Sequence, residues 1–112
     1  MTQQKTDRYI NVCMKTWLLC EAKVHAKLRL NKPRLNLVIE CSACAKACFV
    51  VAAMLETNTE GFSNLVLNCL LHCRQCSMEC EKYSYEEDVQ FCGIVSHICG
   101  DTMKEIVAFP LN

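Results

Sequence analysis

Residues 69–80 read CLLHCRQCSMEC, and the four cysteines in this stretch are spaced four, three and four residues apart. This alternation places side chains on one face of an α-helix, as at the a and d positions of a coiled coil. A loop that wraps around one metal ion has no need of such a spacing. The stretch therefore predicts a helix with a row of thiols on its buried face, those of Cys69, Cys73, Cys76 and Cys80.

The same spacing recurs along the chain and extends the first stretch to Phe62, Val66 and Tyr83. Three more helical faces follow it: Ile10, Cys13, Trp17, Cys20 and Val24; then Leu37, Cys41, Cys44, Cys48, Val51 and Leu55; then Tyr85, Val89, Cys92, Ser96, Cys99, Met103 and Ile106. All 11 cysteines of the chain fall on these four faces. We therefore expect every thiol to be buried.

Length and composition predict the architecture. A chain of 112 residues with 52% hydrophobic residues, 3 Gly and 2 Pro fits one domain built from helices. Breaks at Pro33, at 57–61 and at a capping-box pattern, Ser84 to Glu87, predict helices over about 6–28, 35–57, 62–83 and 85–108. We predict an all-α fold, an antiparallel up-down-up-down four-helix bundle with a cysteine-lined core over residues 1–112.

Antiparallel packing brings the four faces into layers. The predicted layers are Cys20, Cys41, Cys80 and Val89; Trp17, Cys44, Cys76 and Cys92; Cys13, Cys48, Cys73 and Ser96; and Ile10, Val51, Cys69 and Cys99. The predicted apolar ends are Val24, Leu37, Tyr83 and Tyr85 on one side, and Leu55, Phe62, Val66, Met103 and Ile106 on the other. The bundle axis would then be a column of thiols closed at both ends.

Three explanations account for such a column. Free cysteine packs like a small hydrophobe, so one hypothesis is a structural or interaction bundle without metal. A zinc or iron–sulfur protein is a second, although zinc sites usually take four ligands. Cu(I) accepts two or three thiolates and allows each thiolate to bridge two ions, so it makes the best use of a continuous column. The predicted ligands of multiple Cu(I) ions are Cys13, Cys20, Cys41, Cys44, Cys48, Cys69, Cys73, Cys76, Cys80, Cys92 and Cys99.

The chain resembles the cysteine-rich four-helix-bundle copper storage proteins of bacteria, especially their cytosolic members. The resemblance covers about residues 8–108. It rests on three groups of cysteines: Cys41, Cys44 and Cys48; Cys69, Cys73, Cys76 and Cys80; and Cys92 and Cys99. It implies Cu(I) held inside the bundle by thiolates, usually in homotetramers. The chain departs from richer members at Val51, Val66, Val89 and Ser96, which implies a lower capacity.

Other features bound the function. No nucleophile–base–acid grouping is present, so we expect no enzyme activity. The N-terminal segment has no signal-peptide core, and no apolar run approaches ~18 residues, so we expect a cytoplasmic protein without membrane contact. The basic residues are not interleaved with aromatics, which disfavours nucleic acid as a partner. A protein that donates or accepts copper is a candidate partner.

Several residues outside the thiol column carry further expectations. Residues 1–35 have a net charge of +6 and residues 36–112 of −6, which indicates either solvated faces or a basic helix that meets an acidic neighbour. Apolar residues on outward faces, Phe91, Ile94, Val95 and Ile98 with Leu67, Leu70 and Leu71, predict a homo-oligomer. His25, His72 and His97 lie off the faces. Met54 and Met103 are expected to fill the core or line an opening, and buried thiols to have raised pKa values.

Overall fold

A computed structural model describes residues 2–30, 32–57, 61 and 63–108 of the chain. Its four helices are α1 (Gln3–Leu28), α2 (Leu35–Glu56), α3 (Ser63–Glu81) and α4 (Glu87–Ala108), and the described residues include no strand. Each helix packs against the next along the chain, and α4 packs back against α1. This closed ring confirms the predicted all-α four-helix bundle.

The first helix begins earlier than the sequence pattern predicted. The Thr2 hydroxyl caps α1 by accepting a hydrogen bond from the backbone N–H of Lys5 at 3.2 Å. Such a cap satisfies one of the N–H groups that lack a partner in the first turn. Between α2 and α3, Gly61 adopts a φ of 75°, a left-handed conformation that glycine tolerates best.

The capping box predicted at Ser84 is wrong. The chain leaves α3 through further turns, in which the backbone N–H of Ser84 donates to the carbonyl of Glu81 at 3.3 Å. The first residue of α4 is Glu87, and the carbonyl of Glu86 accepts the N–H of Gln90 at 2.9 Å. Because α4 starts later than predicted, Glu86 and Glu87 lie at its N-terminus, where acidic side chains complement the helix dipole.

The basic N-terminal third pairs with acidic residues of α4 in the same chain. Lys27 is 9% exposed, and its Nζ lies 3.5 Å from carboxylate oxygens of Glu86 and Asp88. Lys23 Nζ lies 3.1 Å from Asp88, and both terminal nitrogens of Arg34 bond Glu86. The hydrogen bonds from Arg34 lower the pKa of Glu86. At the far end of the same helix pair, Arg8 lies 2.8 Å from Glu105. The opposite charges of the two parts of the chain thus meet within one subunit.

The buried face of α1 differs from the predicted one. Thr16 is fully buried, whereas Trp17 is only partly buried and its ring lies 5.1 Å from that of Phe49. Cys13 and Cys20 are seven residues apart, so a helical face that contains both can include either Thr16 or Trp17. The cysteines alone therefore do not determine which of the two is buried. The buried residues of α1 are Tyr9, Cys13, Thr16, Cys20 and Lys27, with Ile10, Trp17 and Val24 at the margin.

The two ends of the bundle are closed unequally. At the end where Lys27 pairs with Glu86, Leu37 and Val89 are buried, but Tyr85 is 76% exposed, so its predicted role in closing that end is wrong. The opposite end has the thicker apolar layer, which is formed by buried side chains of Val51, Leu55, Val66, Met103 and Ile106. The predicted contribution of Phe62 lies outside the described residues.

By length and composition alone, α2 could cross a membrane, contrary to the expectation that no apolar stretch is long enough. Half of its most apolar window is buried inside the bundle, where α2 packs between α1 and α3. A helix that is buried in the core of a bundle can be as apolar as a helix that spans a membrane, so composition alone does not distinguish the two. No other described helix meets this criterion.

Candidate metal centre

All eleven cysteines are buried free thiols, as predicted. Ten are 0% exposed and Cys80 is 1% exposed. Together they form a column along the bundle axis, in which neighbouring sulfur atoms lie at about van der Waals contact distance. The column divides into two clusters.

The first group is the six-thiol cluster, near the end where Lys27 pairs with Glu86. The sulfurs of Cys41, Cys76, Cys80 and Cys92 all lie within 4.8 Å of one another. Cys20 and Cys44 form a second such group with Cys76. Individual Sγ–Sγ distances include 3.7 Å from Cys76 to Cys41 and 3.9 Å from Cys20 to Cys92.

The second group is the five-thiol cluster, toward the thicker apolar end. The sulfurs of Cys48, Cys69, Cys73 and Cys99 lie within 4.8 Å of one another. Cys48 is central, with its Sγ 3.7 Å from those of Cys69 and Cys99 and 3.8 Å from that of Cys73. Cys13 of α1 completes the cluster, since interactions with Cys69 and Cys99 raise the pKa of its thiol.

The observed layers differ from the predicted ones where α1 meets α4. Cys20 was predicted level with Val89, but its Sγ lies 3.9 Å from that of Cys92 and 3.8 Å from Ser96 Oγ. Cys13 lies against Cys99 instead of Ser96. The two helices are therefore offset by about one layer from the predicted register. The predicted pairing of Cys48 with Cys73 is confirmed.

Contacts among the thiols shift their pKa values in both directions. Hydrogen bonds from Cys20 and Cys48 lower the pKa of Cys44 to about 7. Similar contacts, first with Cys13, lower the pKa of Cys69 to about 5. Conversely, hydrogen bonding to Cys69 and Cys99, with burial, raises the pKa of Cys13. The expectation that all the thiols have raised pKa values is therefore wrong, because a thiolate among thiols is stabilised by their S–H groups.

The pKa of Cys92 follows the same rule. Hydrogen bonds from Cys20 and Cys41 lower it to about 5, whereas contacts with Cys44 and Cys69, with burial, raise the pKa of Cys48. Each cluster thus contains at least one thiol that ionises near or below neutral pH. That thiolate offers a first binding point for a soft cation.

The donor atoms of the column select the metal. Among the described residues, the groups that could hold a metal ion consist of cysteine alone. The histidines lie elsewhere: His25 and His97 are exposed beside Glu21 and Asp101, and His72 is half-buried on α3. Thiolates favour Cu(I), zinc and iron–sulfur clusters over hard cations.

The comparison with known families favours copper among these metals. The family model described as copper storage protein (Csp) matches residues 2–108, nearly the whole chain. The chain belongs to the copper storage protein family. No curated protein and no solved structure matches it. As in the name of its family, the bundle stores copper, and its buried cysteines form groups that could hold metal ions.

The sequence did not reveal that Ser96 and Thr16 lie among the buried thiols as hydroxyl residues. Ser96 was predicted on the buried face only as an interruption of the cysteines, yet its Oγ lies 3.5 Å from the sulfur of Cys76. Thr16 was missed because Trp17 is the more hydrophobic neighbour. The spacing of Thr16 from Cys13 and Cys20, three and four residues, was the available signal.

Proposed function

We propose that the bundle stores copper as Cu(I), with several ions per chain and all eleven cysteines as ligands. The observation that carries the proposal is the dense set of sulfur contacts within and between the clusters, such as 3.7 Å from Cys48 to Cys69 and 3.7 Å from Cys44 to Cys73. Linear or trigonal Cu(I) uses each thiolate twice, so a column of this kind loads more ions than separate sites. Storage follows from the load and from the burial of every ligand.

Zinc is the second candidate, because of one specific observation. Two groups of four sulfurs, Cys41, Cys76, Cys80 and Cys92, and Cys48, Cys69, Cys73 and Cys99, are close enough to surround one ion each. Zinc prefers four ligands in a tetrahedron. Two zinc ions would leave Cys13, Cys20 and Cys44 without a role, whereas Cu(I) uses all eleven.

An anaerobic titration of the reduced protein distinguishes the two metals. If each Cu(I) takes two thiolates and each thiolate bridges two ions, the chain binds about 11 ions, one per thiol. Zinc with unshared ligands stops at about two or three ions. The measurement is metal bound per chain in competition with a chelator, with circular dichroism to confirm that the helices persist. Copper saturation at two or three ions would contradict storage by thiolates that each bridge two ions.

We further propose a cytoplasmic, non-catalytic protein that acts without membrane or nucleic acid and exchanges copper with a donor or acceptor protein. Free thiols persist in reducing compartments, which supports the location. The pairing of Lys23, Lys27 and Arg34 with α4 neutralises the basic residues that a nucleic acid would need. Membership of a storage family supports a role other than catalysis.

A homo-oligomer, a tetramer by the family resemblance, is proposed from the apolar surface of α4. Phe91, Ile94 and Ile98 are 49%, 52% and 51% exposed and lie on one face. Val95, predicted with them, is buried at 7%. Leu67 and Leu71 extend the apolar surface onto α3. A second copy of the chain would cover side chains that are otherwise costly to leave in water.

Substituting Ile94→Lys is expected to reduce the assembled mass toward that of a single chain, because a charge would be buried at the interface. Light scattering at micromolar concentration measures the size. Ile39→Lys is the matched control, since Ile39 is 59% exposed on α2, outside the proposed face, and should leave the mass unchanged. A wild-type protein that is already a monomer would contradict the assembly, and an effect of Ile39→Lys alone would place the interface elsewhere.

A further inference from the structure

Two hydroxyl residues interrupt the thiol column at the same level. On α1, Thr16 lies between Cys13 of the five-thiol cluster and Cys20 of the six-thiol cluster. On α4, Ser96 lies between Cys92 of the six-thiol cluster and Cys99 of the five-thiol cluster. Both hydroxyl residues are 0% exposed. Two of the four helices therefore present oxygen instead of sulfur at the boundary between the clusters.

The hydroxyl of Ser96 makes contact only on the side of the six-thiol cluster in the described contacts. It donates to the sulfur of Cys76 at 3.5 Å, and it accepts from Cys44 at 4.0 Å. Cys20 lies 3.8 Å away. The Thr16 hydroxyl donates to the carbonyl of Val12 at 2.8 Å, so its proton is used within its own helix.

Thiols of α2 and α3 form the remaining connection between the clusters. Cys44 Sγ lies 3.7 Å from Cys73 Sγ, and an interaction with Cys48 lowers the pKa of the Cys44 thiol. One thiol of the six-thiol cluster therefore reaches both Cys73 and Cys48 across the boundary. On the opposite side of the axis, α1 and α4 supply no sulfur.

Alcohol oxygens are hard, neutral donors, whereas Cu(I) selects soft thiolates that bridge ions. We propose that the cargo divides at Ser96 and Thr16 into two copper–thiolate clusters, on six and on five cysteines, with Ser96 donating a hydrogen bond to the Cys76 thiolate at the boundary. This inference rests on the proposed storage of Cu(I) by the cysteines. Each bound ion displaces a thiol proton to solvent or joins an existing thiolate, and no electron is transferred.

Two half-column variants test the division. Cys48, Cys69 and Cys99 to Ala breaks up the five-thiol cluster, and Cys20, Cys41, Cys76 and Cys92 to Ala breaks up the six-thiol cluster, so that only one sulfur of each disabled metal-holding group remains. With separate clusters, the first variant keeps about six tightly bound ions and the second about five, by the count of one ion per thiol. Chelator competition should give the retained ions an affinity within about threefold of wild type, because ions that share no ligand with the disabled cluster are affected independently.

The boundary residue is tested by a matched pair. Ser96→Cys adds the missing sulfur, so the load should rise by about one ion, and the half-column substitutions should then weaken the retained ions by about tenfold or more. Ser96→Ala removes the hydroxyl without adding a ligand, so the load and the independence of the halves should match wild type. The half-column variants that retain Ser96 test the division of the cargo even if Ser96→Cys does not fold.

The outcomes separate this inference from the storage proposal. If wild type binds about 11 ions but either half-column variant weakens its retained ions by about tenfold or more, the column is continuous and the division is overturned while storage stands. If Ser96→Ala couples the halves as strongly as Ser96→Cys, sulfur at that position is not what joins them, and the division is overturned again. A wild type that binds no copper overturns the proposed function itself.

Discussion

The copper ions that load last are expected to bind about 100-fold more weakly at pH 5.5 than at pH 7.5. Each such ion displaces about one thiol proton, and linkage weakens binding about tenfold per pH unit for each proton displaced. The sign follows from the raised pKa of thiols such as Cys13 and Cys48, which are protonated at neutral pH. As pH falls, protons compete more strongly for the sulfur and copper binding weakens.

The first ions should depend less on pH. Cys69 and Cys92, with pKa values lowered to about 5, are already thiolates at pH 7.5 and lose no proton when copper arrives. Their ions should keep nearly constant affinity until the pH approaches about 5. Competition at several loadings, corrected for the protonation of the chelator, gives the slope at each stage. An equal slope at every loading would contradict the division of thiols into ionised and protonated groups.

Gly93→Ala is expected to destabilise the reduced, copper-free bundle by about 1–3 kcal/mol relative to Gly100→Ala. A Cβ at Gly93 would lie 2.8 Å from the Cβ of Cys80, so α3 and α4 would have to separate. At Gly100 a Cβ would lie 3.5 Å from the Cβ of Cys73, an ordinary contact. That control should be neutral or gain up to ~1 kcal/mol, because alanine favours a helix interior over glycine.

Denaturant unfolding followed by circular dichroism measures both variants under reducing conditions. Equal free energies of unfolding for the two would show that the helices relax at Gly93 without cost. The comparison is informative because both glycines lie on α4 and pack against α3, and both substitutions add one methyl group. Their difference therefore isolates the close approach at Cys80 from the general helix preference.

The placement of the cysteines could be predicted because the pattern and the fold agree. Cys69, Cys73, Cys76 and Cys80 fit a helical face in only one phase, and all four are buried. On α1, Cys13 and Cys20 fit two phases, and hydrophobicity favoured the wrong one. A narrow column of thiols accepts the small side chain of Thr16, while the large ring of Trp17 needs the space beside Phe49.

The register between helices could not be read from the pattern of apolar faces. Sliding α4 by one layer along α1 exchanges one apolar neighbour for another, so hydrophobicity barely distinguishes the two arrangements. The observed offset places Lys27 beside Glu86 and Asp88. The false capping box at Ser84 had the same origin, since a short motif says nothing about how far α3 continues. Gly93 is visible in the sequence, but its proximity to Cys80 is a property of the packed pair.

The unbroken proximity of the thiols also makes the store sensitive to oxidants. Pairs across helices, such as Cys48 and Cys69, have sulfurs 3.7 Å apart, so an oxidant that takes two electrons from such a pair would find both sulfurs of a disulfide side by side. Every such bond removes two ligands. Since the chain has 11 thiols, complete oxidation could form at most five bonds and would leave one sulfur without a mate. The amount of copper that the bundle can accept therefore also reports the reducing power of its surroundings, and it would fall in steps of two thiols as that power declines.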